Sequence, residues 1–358
     1  MENVILWILA AGAVLGGIDL IFGNRFGLGE RFEEGFKLLG PTALSMAGIL
    51  CLAPLISLGL EHTVASLYRA VGLDPAMLGG ILAIDMGGYQ MAKSLAENPD
   101  IGKYAGILVS ATLGCTVSFT IPLSVGVVEE KDSRDFFRGI LIGLAVMPIA
   151  LVLGGLLSGI SLPLLIVQSL PVIVLSLLLI LGLVFIPKQM LSGFSVFAKL
   201  IRLLSIVGLI LGAVQYITGK TFVPNLAPIE DAMKVVSGIG VVMLGSLPMA
   251  EILRRLLSSP LKVFGEKYGL RDTSLTALLI GFVSVTPAVT MIKDMDSRGK
   301  TMNAAFIVCA ASTLASHLGF TLSVEPEMMT PLLLTKLIGG AAAAVIAFFV
   351  CGKSKKVK

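Results

Sequence analysis

The sequence predicts an all-α polytopic membrane protein, built as two inverted five-segment repeats with about nine transmembrane helices and two re-entrant hairpins. Three observations carry that expectation: an apolar composition, eleven apolar segments separated by short polar connectors, and an internal offset that superimposes one half of the chain on the other. Of 358 residues, 56% are hydrophobic and only 14% charged, with a mean hydropathy of +0.95. Soluble domains carry about 25% charged residues, so the composition argues against a soluble enzyme or a disordered chain. The net charge of +4 gives no signal for nucleic acid.

At roughly 20 apolar residues per helical span, the segments fall at about 4–23, 36–60, 75–92, 104–128, 136–160, 162–187, 198–217, 232–253, 273–292, 302–324 and 331–351. The first follows an acidic Met1-Glu2-Asn3 and lacks a small-residue cleavage site. It reads as a retained span rather than a signal peptide. Segment 3 is interrupted at Asp85-Met86-Gly87-Gly88 and segment 9 at Ser284-Val285-Thr286-Pro287. Gly and Pro at corresponding places in two halves point to discontinuous membrane helices and a binding site between them. The tail Lys353-Ser354-Lys355-Lys356-Val357-Lys358 is basic and expected in the cytoplasm.

A shift of 197 residues places Glu33 on Glu230, Lys37 on Lys234, Met46 on Met243, Gly48 on Gly245, Gly72-Leu73 on Gly269-Leu270 and Gly102-Lys103 on Gly299-Lys300. One residue less places Gly12 on Gly208, Gly16 on Gly212 and Asp19 on Gln215. Segments 1–5 then pair with segments 7–11, giving a first repeat at 1–160, a connecting helix at 161–197 and a second repeat at 198–358. The hairpins lie at about 75–99 and 272–298. With segments 3 and 9 as hairpins, 21 Lys and Arg fall inside and 5 outside (Arg69, Lys93, Lys103, Lys220, Lys234). If all eleven segments cross, the split is 14 to 12. The positive-inside bias selects the hairpins, with the N-terminus outside and the C-terminus cytoplasmic.

No H-E-x-x-H, G-x-S-x-G or P-loop occurs, so no enzyme chemistry is indicated. The four cysteines, Cys51, Cys115, Cys309 and Cys351, sit in apolar stretches without Cys-x-x-Cys spacing and read as packing residues; no metal or cofactor is expected. The informative groups are polar residues deep in apolar segments, since a carboxylate there costs about 2.5–3.5 kcal/mol on insertion scales. Asp85 at a hairpin tip reads either as a counter-charge for a cationic substrate or ion, or as a cap for the broken helix. Asp19 and His317 are candidates to line a polar path, each with a purely structural alternative. Ser110, Thr112, Thr116, Ser118 and Thr120 suit interhelical glue. Glu251 precedes Arg254 and Arg255 by three and four residues, the spacing of a helix-surface ion pair. Tyr89 and the phenylalanines Phe119, Phe282 and Phe320 offer cation–π surface or packing. The Gly-x3-Gly pairs at Gly12, Gly139, Gly155 and Gly208 permit close helix approach, within the bundle or between subunits of a homo-oligomer.

Three stretches carry a family resemblance. Arg31-Phe32-Glu33-Glu34-Gly35-Phe36 running into Ala43-Leu44-Ser45-Met46-Ala47-Gly48, then Asp85-Met86-Gly87-Gly88-Tyr89-Gln90-Met91-Ala92-Lys93, then Phe119-Thr120-Ile121-Pro122-Leu123-Ser124 resemble the ethanolamine utilisation transporter family (EutH type). The resemblance implies a bacterial inner-membrane permease that admits ethanolamine for a cytosolic ammonia-lyase pathway. That substrate is a small ammonium alcohol, and it needs one counter-charge and a few hydrogen-bonding groups. The expected binding residues are Asp85 for the ammonium, Tyr89 and Gln90 beside it, Ser284 or Thr286 for the hydroxyl, with His317 and Asp19 along the path. The alternative is an ion-coupled transporter of another small solute, with Asp85 as an ion or proton site.

Overall fold

The computed structural model describes residues 2–82 and 84–351; the basic tail from Gly352 onward lies outside the described residues. All regular structure among them is helical, with no strand. Within a bilayer this is expected, because backbone N–H and C=O groups must be paired inside the segment that carries them.

The first half runs through α1 (Glu2–Ile21), α2 (Leu28–Lys37) and α3 (Leu39–Leu60), then the short pair α4 (Ala76–Ile81) and α5 (Gly88–Leu95). It continues with α6 (Pro99–Val127) and α7 (Glu130–Leu157). After α8 (Leu162–Gln168) and α9 (Leu170–Phe185), the second half holds α10 (Pro187–Thr218), α11 (Ile229–Tyr268), α12 (Asp272–Val283), α13 (Val285–Thr290), α14 (Ser297–Ala310), α15 (Leu318–Val324) and α16 (Met329–Val350). Eight helices among the described residues are long and apolar enough to cross a membrane, and a ninth span results if α8 and α9, bent by 45°, count as one. Segments 3 and 9 of the sequence are in both cases broken pairs of short helices, α4–α5 and α12–α13. Large apolar side chains such as Trp7, Ile21, Phe185 and Ile217 face outward, as lipid-facing positions would.

Glycine sets where helices touch. A methyl on Gly12 of α1 would strike the Gly245 carbonyl of α11, and one on Gly245 would strike the Leu9 carbonyl. In the same way a methyl on Gly208 of α10 would strike the Gly48 carbonyl of α3, and one on Gly48 the Ser205 carbonyl. Backbones approach this closely only where a side chain is missing.

Each broken pair is closed at its open end by an aspartate. Asp74 accepts from Ala76 N at 2.8 Å and Asn98 N at 2.8 Å, tying the start of α4 to the end of α5. Asp296 accepts from Arg271 N at 3.0 Å, Ser274 Oγ at 2.7 Å and Gly299 N at 3.0 Å, tying α12 to α14.

Candidate functional site

The two breaks face one another across the molecule's interior. At the first, the turn between α4 and α5 holds Asp85 at φ 49°. This left-handed conformation costs a non-glycine residue about 1–3 kcal/mol and persists only where the surrounding structure holds it. The hairpin can sit so deep because Gly79 of α4 lies directly against Gly88 and Ala92 of α5, with no room for a Cβ. At the second, Ser284 is extended between α12 and α13. Ser312, also left-handed at φ 53°, interrupts the helix after α14. These irregular segments satisfy each other: Ser312 N donates to the Gly281 carbonyl at 3.1 Å, and Val285 N to Ser312 Oγ at 3.3 Å. A π-helical turn, Thr313–His317, follows; a second π-helical stretch, Tyr104–Gly114, lies in α6. Such turns are frequent at functional sites.

Between the breaks lies a cavity of about 830 Å³, within the range of small-molecule sites. Asp85, Cys115, Ser284, Thr286, Ser316 and His317 line its inner part, and Arg31, Glu34, Glu251 and Arg254 its mouth. At the mouth Arg254 holds Glu251 through two nitrogens at 2.8 and 2.6 Å, and Arg255 Nε donates to it at 2.7 Å.

A hydrogen-bonded chain runs from the cavity wall into the protein. Asp85 Oδ1 lies 3.0 Å from His317 Nε2, and the carboxylate side chain stays 25% exposed while His317 is 1% exposed. His317 Nδ1 lies 3.0 Å from the Ala311 carbonyl oxygen and 3.0 Å from Lys336 Nζ. Lys336 is buried in α16 and also donates to the Ala111 carbonyl. Asp85, Cys115 and His317 bring one atom each within 4.8 Å of one another. The carboxylate and imidazole already bond each other, however, which uses two of the three candidate ligand atoms. We therefore assign no metal centre.

The structure brings Asp85, Ser284, Thr286 and His317 to one cavity and places the other expected residues elsewhere. Tyr89 turns away from it: its hydroxyl donates to Glu325, Lys93 Nζ donates to the Tyr89 hydroxyl at 3.0 Å, and Lys93 pairs with Glu325 at 3.4 Å. Phe320 packs edge-on against the Tyr89 ring, 5.7 Å between centroids. Gln90 is half-buried on α5 and does not line the cavity. Asp19 is a cap: it accepts from Phe26 N at 2.9 Å, Leu28 N at 2.8 Å and Gly29 N at 3.0 Å, where the chain reverses into α2. Four charged residues escaped the sequence reading of the site: Lys336, Glu325, and Arg31 and Glu34 at the mouth. For Lys336 a signal existed, since a lysine in the middle of an apolar span demands a partner.

A bundle of membrane-spanning helices, two of its segments broken, around a small-molecule cavity with one acidic wall has the architecture of a transporter. The comparisons agree. The family model described as "Ethanolamine utilisation protein, EutH" matches residues 1–350, and the chain belongs to that family. It is 37% identical over 358 residues to a "Probable ethanolamine permease EutH" of Listeria monocytogenes, covering 99% of this chain and 96% of the relative. It is 36% identical over 348 residues to the "Uncharacterized protein YxeR" of Bacillus subtilis, covering 97% and 94%. To a "Probable ethanolamine permease EutH" of Escherichia coli it is 33% identical over 393 residues, covering 99% and 96%. No solved structure matches. The protein is thus a multi-pass membrane transporter.

Proposed function

We propose that the chain is an ethanolamine permease of the bacterial inner membrane, working by alternating access with Asp85 as the counter-charge for the substrate ammonium. The observation that carries this reading is the Asp85 carboxylate, partly exposed in a cavity whose remaining inner wall supplies the hydroxyls of Ser284, Thr286 and Ser316. Ethanolamine has one ammonium and one hydroxyl, and this wall offers a partner for each.

In the proposed topology nine spans and two re-entrant hairpins put the N-terminus outside and the C-terminus inside, in repeats at 1–160 and 198–358 joined by 161–197. The glycine contacts support the repeats. Under the 196–197 offset, the α1–α11 crossing (Leu9, Gly12, Gly245) becomes the α10–α3 crossing (Ser205, Gly208, Gly48) with partners exchanged. On this topology the cavity mouth at Arg31 and Arg254 opens to the cytoplasm. The Tyr89–Lys93–Glu325 cluster, with Lys103 bound to Glu327 at 2.9 Å, closes the outer side.

The test is uptake of radiolabelled ethanolamine into proteoliposomes of purified protein, with choline as competitor. Asp85→Asn removes a charged acceptor, which contributes about 1.5–3 kcal/mol, so affinity falls roughly ten- to hundredfold. Uptake by Asp85→Asn equal to the wild type would remove Asp85 from this role.

A further inference from the structure

The reading of Asp85 as the ammonium's counter-charge leaves Lys336 unexplained. Its ammonium is buried in the middle of α16, 1% exposed, and the partners on it are a carbonyl oxygen and an imidazole nitrogen. An uncompensated buried charge is costly, and the Asp85 carboxylate is linked to Lys336 through His317.

Resting on the substrate reading above, we propose that Lys336, His317 and Asp85 form a proton relay that exchanges one proton for one substrate ammonium. Before binding, Lys336 is an ammonium and Asp85 a carboxylate, with neutral His317 accepting from Lys336 at Nδ1 and donating to Asp85 from Nε2. When the substrate arrives, the Lys336 N–H bond breaks as His317 Nδ1–H forms. The Nε2–H bond breaks as the proton passes to Asp85 and on to cavity water, and the substrate ammonium takes the proton's place against the carboxylate. Lys336 is left a neutral amine and His317 a neutral imidazole of the other tautomer. The trio together with the substrate carries the same net charge as the trio alone, so the low-dielectric site never holds an unbalanced cation. Departure of the substrate runs the steps in reverse.

The geometry provides a partner for each proton position. His317 Nδ1 faces both a donor, Lys336 Nζ, and an acceptor, the Ala311 carbonyl, each at 3.0 Å. Whichever tautomer the ring adopts, that nitrogen is satisfied. A histidine fixed in one structural role would need one of these neighbours. Histidine suits the middle position because its two nitrogens can accept on one side and release on the other, and Asp/His chains of this kind carry protons in pumps and transporters. The titratable groups facing Lys336 are Asp85 from the first hairpin, His317 from the π turn, and Cys115 and Cys309 from α6 and α14. The two thiols are buried and stand beside the relay rather than between its members.

The experiment is calorimetric titration of ethanolamine hydrochloride into the purified wild-type protein at neutral pH in two buffers of different ionisation enthalpy, phosphate and MOPS. The dependence of the heat on buffer counts protons, and about one should be released per substrate bound. Lys336→Gln should still bind ethanolamine and release none. Wild-type binding with no proton release overturns the relay while leaving the substrate reading intact. Release that persists in Lys336→Gln places the exchanged proton on Asp85 itself and overturns the part assigned to Lys336. Absence of any wild-type binding removes the substrate reading, and the exchange falls with it. Should Lys336→Gln fail to fold, Lys336→Met, which keeps the length of the side chain without its charge, takes its place: binding without proton release is expected, and release that persists overturns the relay.

Discussion

Removing the Tyr89 hydroxyl tests whether the Tyr89–Lys93–Glu325 cluster is the outer closure. In the structure that hydroxyl donates to Glu325 and accepts from Lys93 at 3.0 Å, so it is the hinge pin of the cluster. The direct Lys93–Glu325 pair is long, at 3.4 Å, and the Lys93 side chain is 62% exposed, which makes that pair weak on its own. Tyr89→Phe keeps the ring and its edge contact with Phe320 but deletes a hydrogen bond to a charged acceptor, a loss of about 1.5–3 kcal/mol. If the bond exists only in the closed state, the outward-open population rises roughly ten- to hundredfold, less any new bond to water. The reporter is Thr286→Cys on the cavity wall, in a chain with its four native cysteines replaced, labelled by an impermeant maleimide from outside. Labelling should accelerate by at least several-fold in Tyr89→Phe and in Glu325→Gln. An unchanged rate in both variants, with the protein folded and present at wild-type levels, would refute the assignment of the cluster as a gate.

Other expectations follow from the same geometry. Gly48→Ala pushes a methyl into the Ser205 carbonyl and should destabilise by about 1–3 kcal/mol, seen as lower thermal stability in detergent. Gly40→Ala meets nothing within 4 Å and should be neutral or slightly stabilising. Asp19→Ala leaves three backbone N–H groups without their acceptor and should lower the thermal stability in detergent, while the folded fraction keeps its affinity for ethanolamine; a selective affinity loss would instead put Asp19 on the substrate path. Single cysteines at 135 and 262 should react with an impermeant reagent only from the cytoplasmic side, and reaction from outside would invert the proposed topology.

The broken segments were legible because Gly and Pro are the residues that interrupt helices, and they interrupt both halves at corresponding places. The Glu251 ion pair was legible because i,i+3 and i,i+4 neighbours share a helix face. What the sequence could not show depends on rotation and on distant partners. Tyr89 stands four residues after Asp85, which on one continuous helix would put both on one face. Instead α5 begins only at Gly88, after a 3₁₀ turn at Asp85–Gly87, so the phenol is carried around onto Glu325. Asp19 could be seen as polar near a helix end, but its role depends on the chain doubling back through Gly23, Asn24 and Gly27, all at positive φ. Lys336 is visible as a lone charge in an apolar span. Its meaning comes only from His317, 19 residues earlier, and from a carbonyl on α6.

The same contacts suggest which parts move. The crossings at Gly12–Gly245 and Gly208–Gly48 lock α1 to α11 and α10 to α3 backbone against backbone. Sliding there would drive side chains and carbonyls together, so each pair moves as a unit; α3 also packs along α11 and Gly35 seats α2 on the Met243–Leu244 backbone of α11, which joins them into one body. One wall of the cavity comes from that body: Arg31, Pro41, Thr42, Met243, Glu251 and Arg254, on α2, α3 and α11. The opposite wall, with Asp85, Ser284, Thr286 and His317, comes from the hairpins and the broken helix, and Lys336 beside His317 lies on that side. On the proposed alternating-access mechanism, opening displaces the wall of helix breaks against these helices, and the close seat of Gly319 on the Ile239 backbone of α11 is the contact that has to give. Because Asp85, His317 and Lys336 sit together on the side of the helix breaks, the proposed relay would travel with the substrate site intact, and the ammonium would keep its counter-charge throughout the passage.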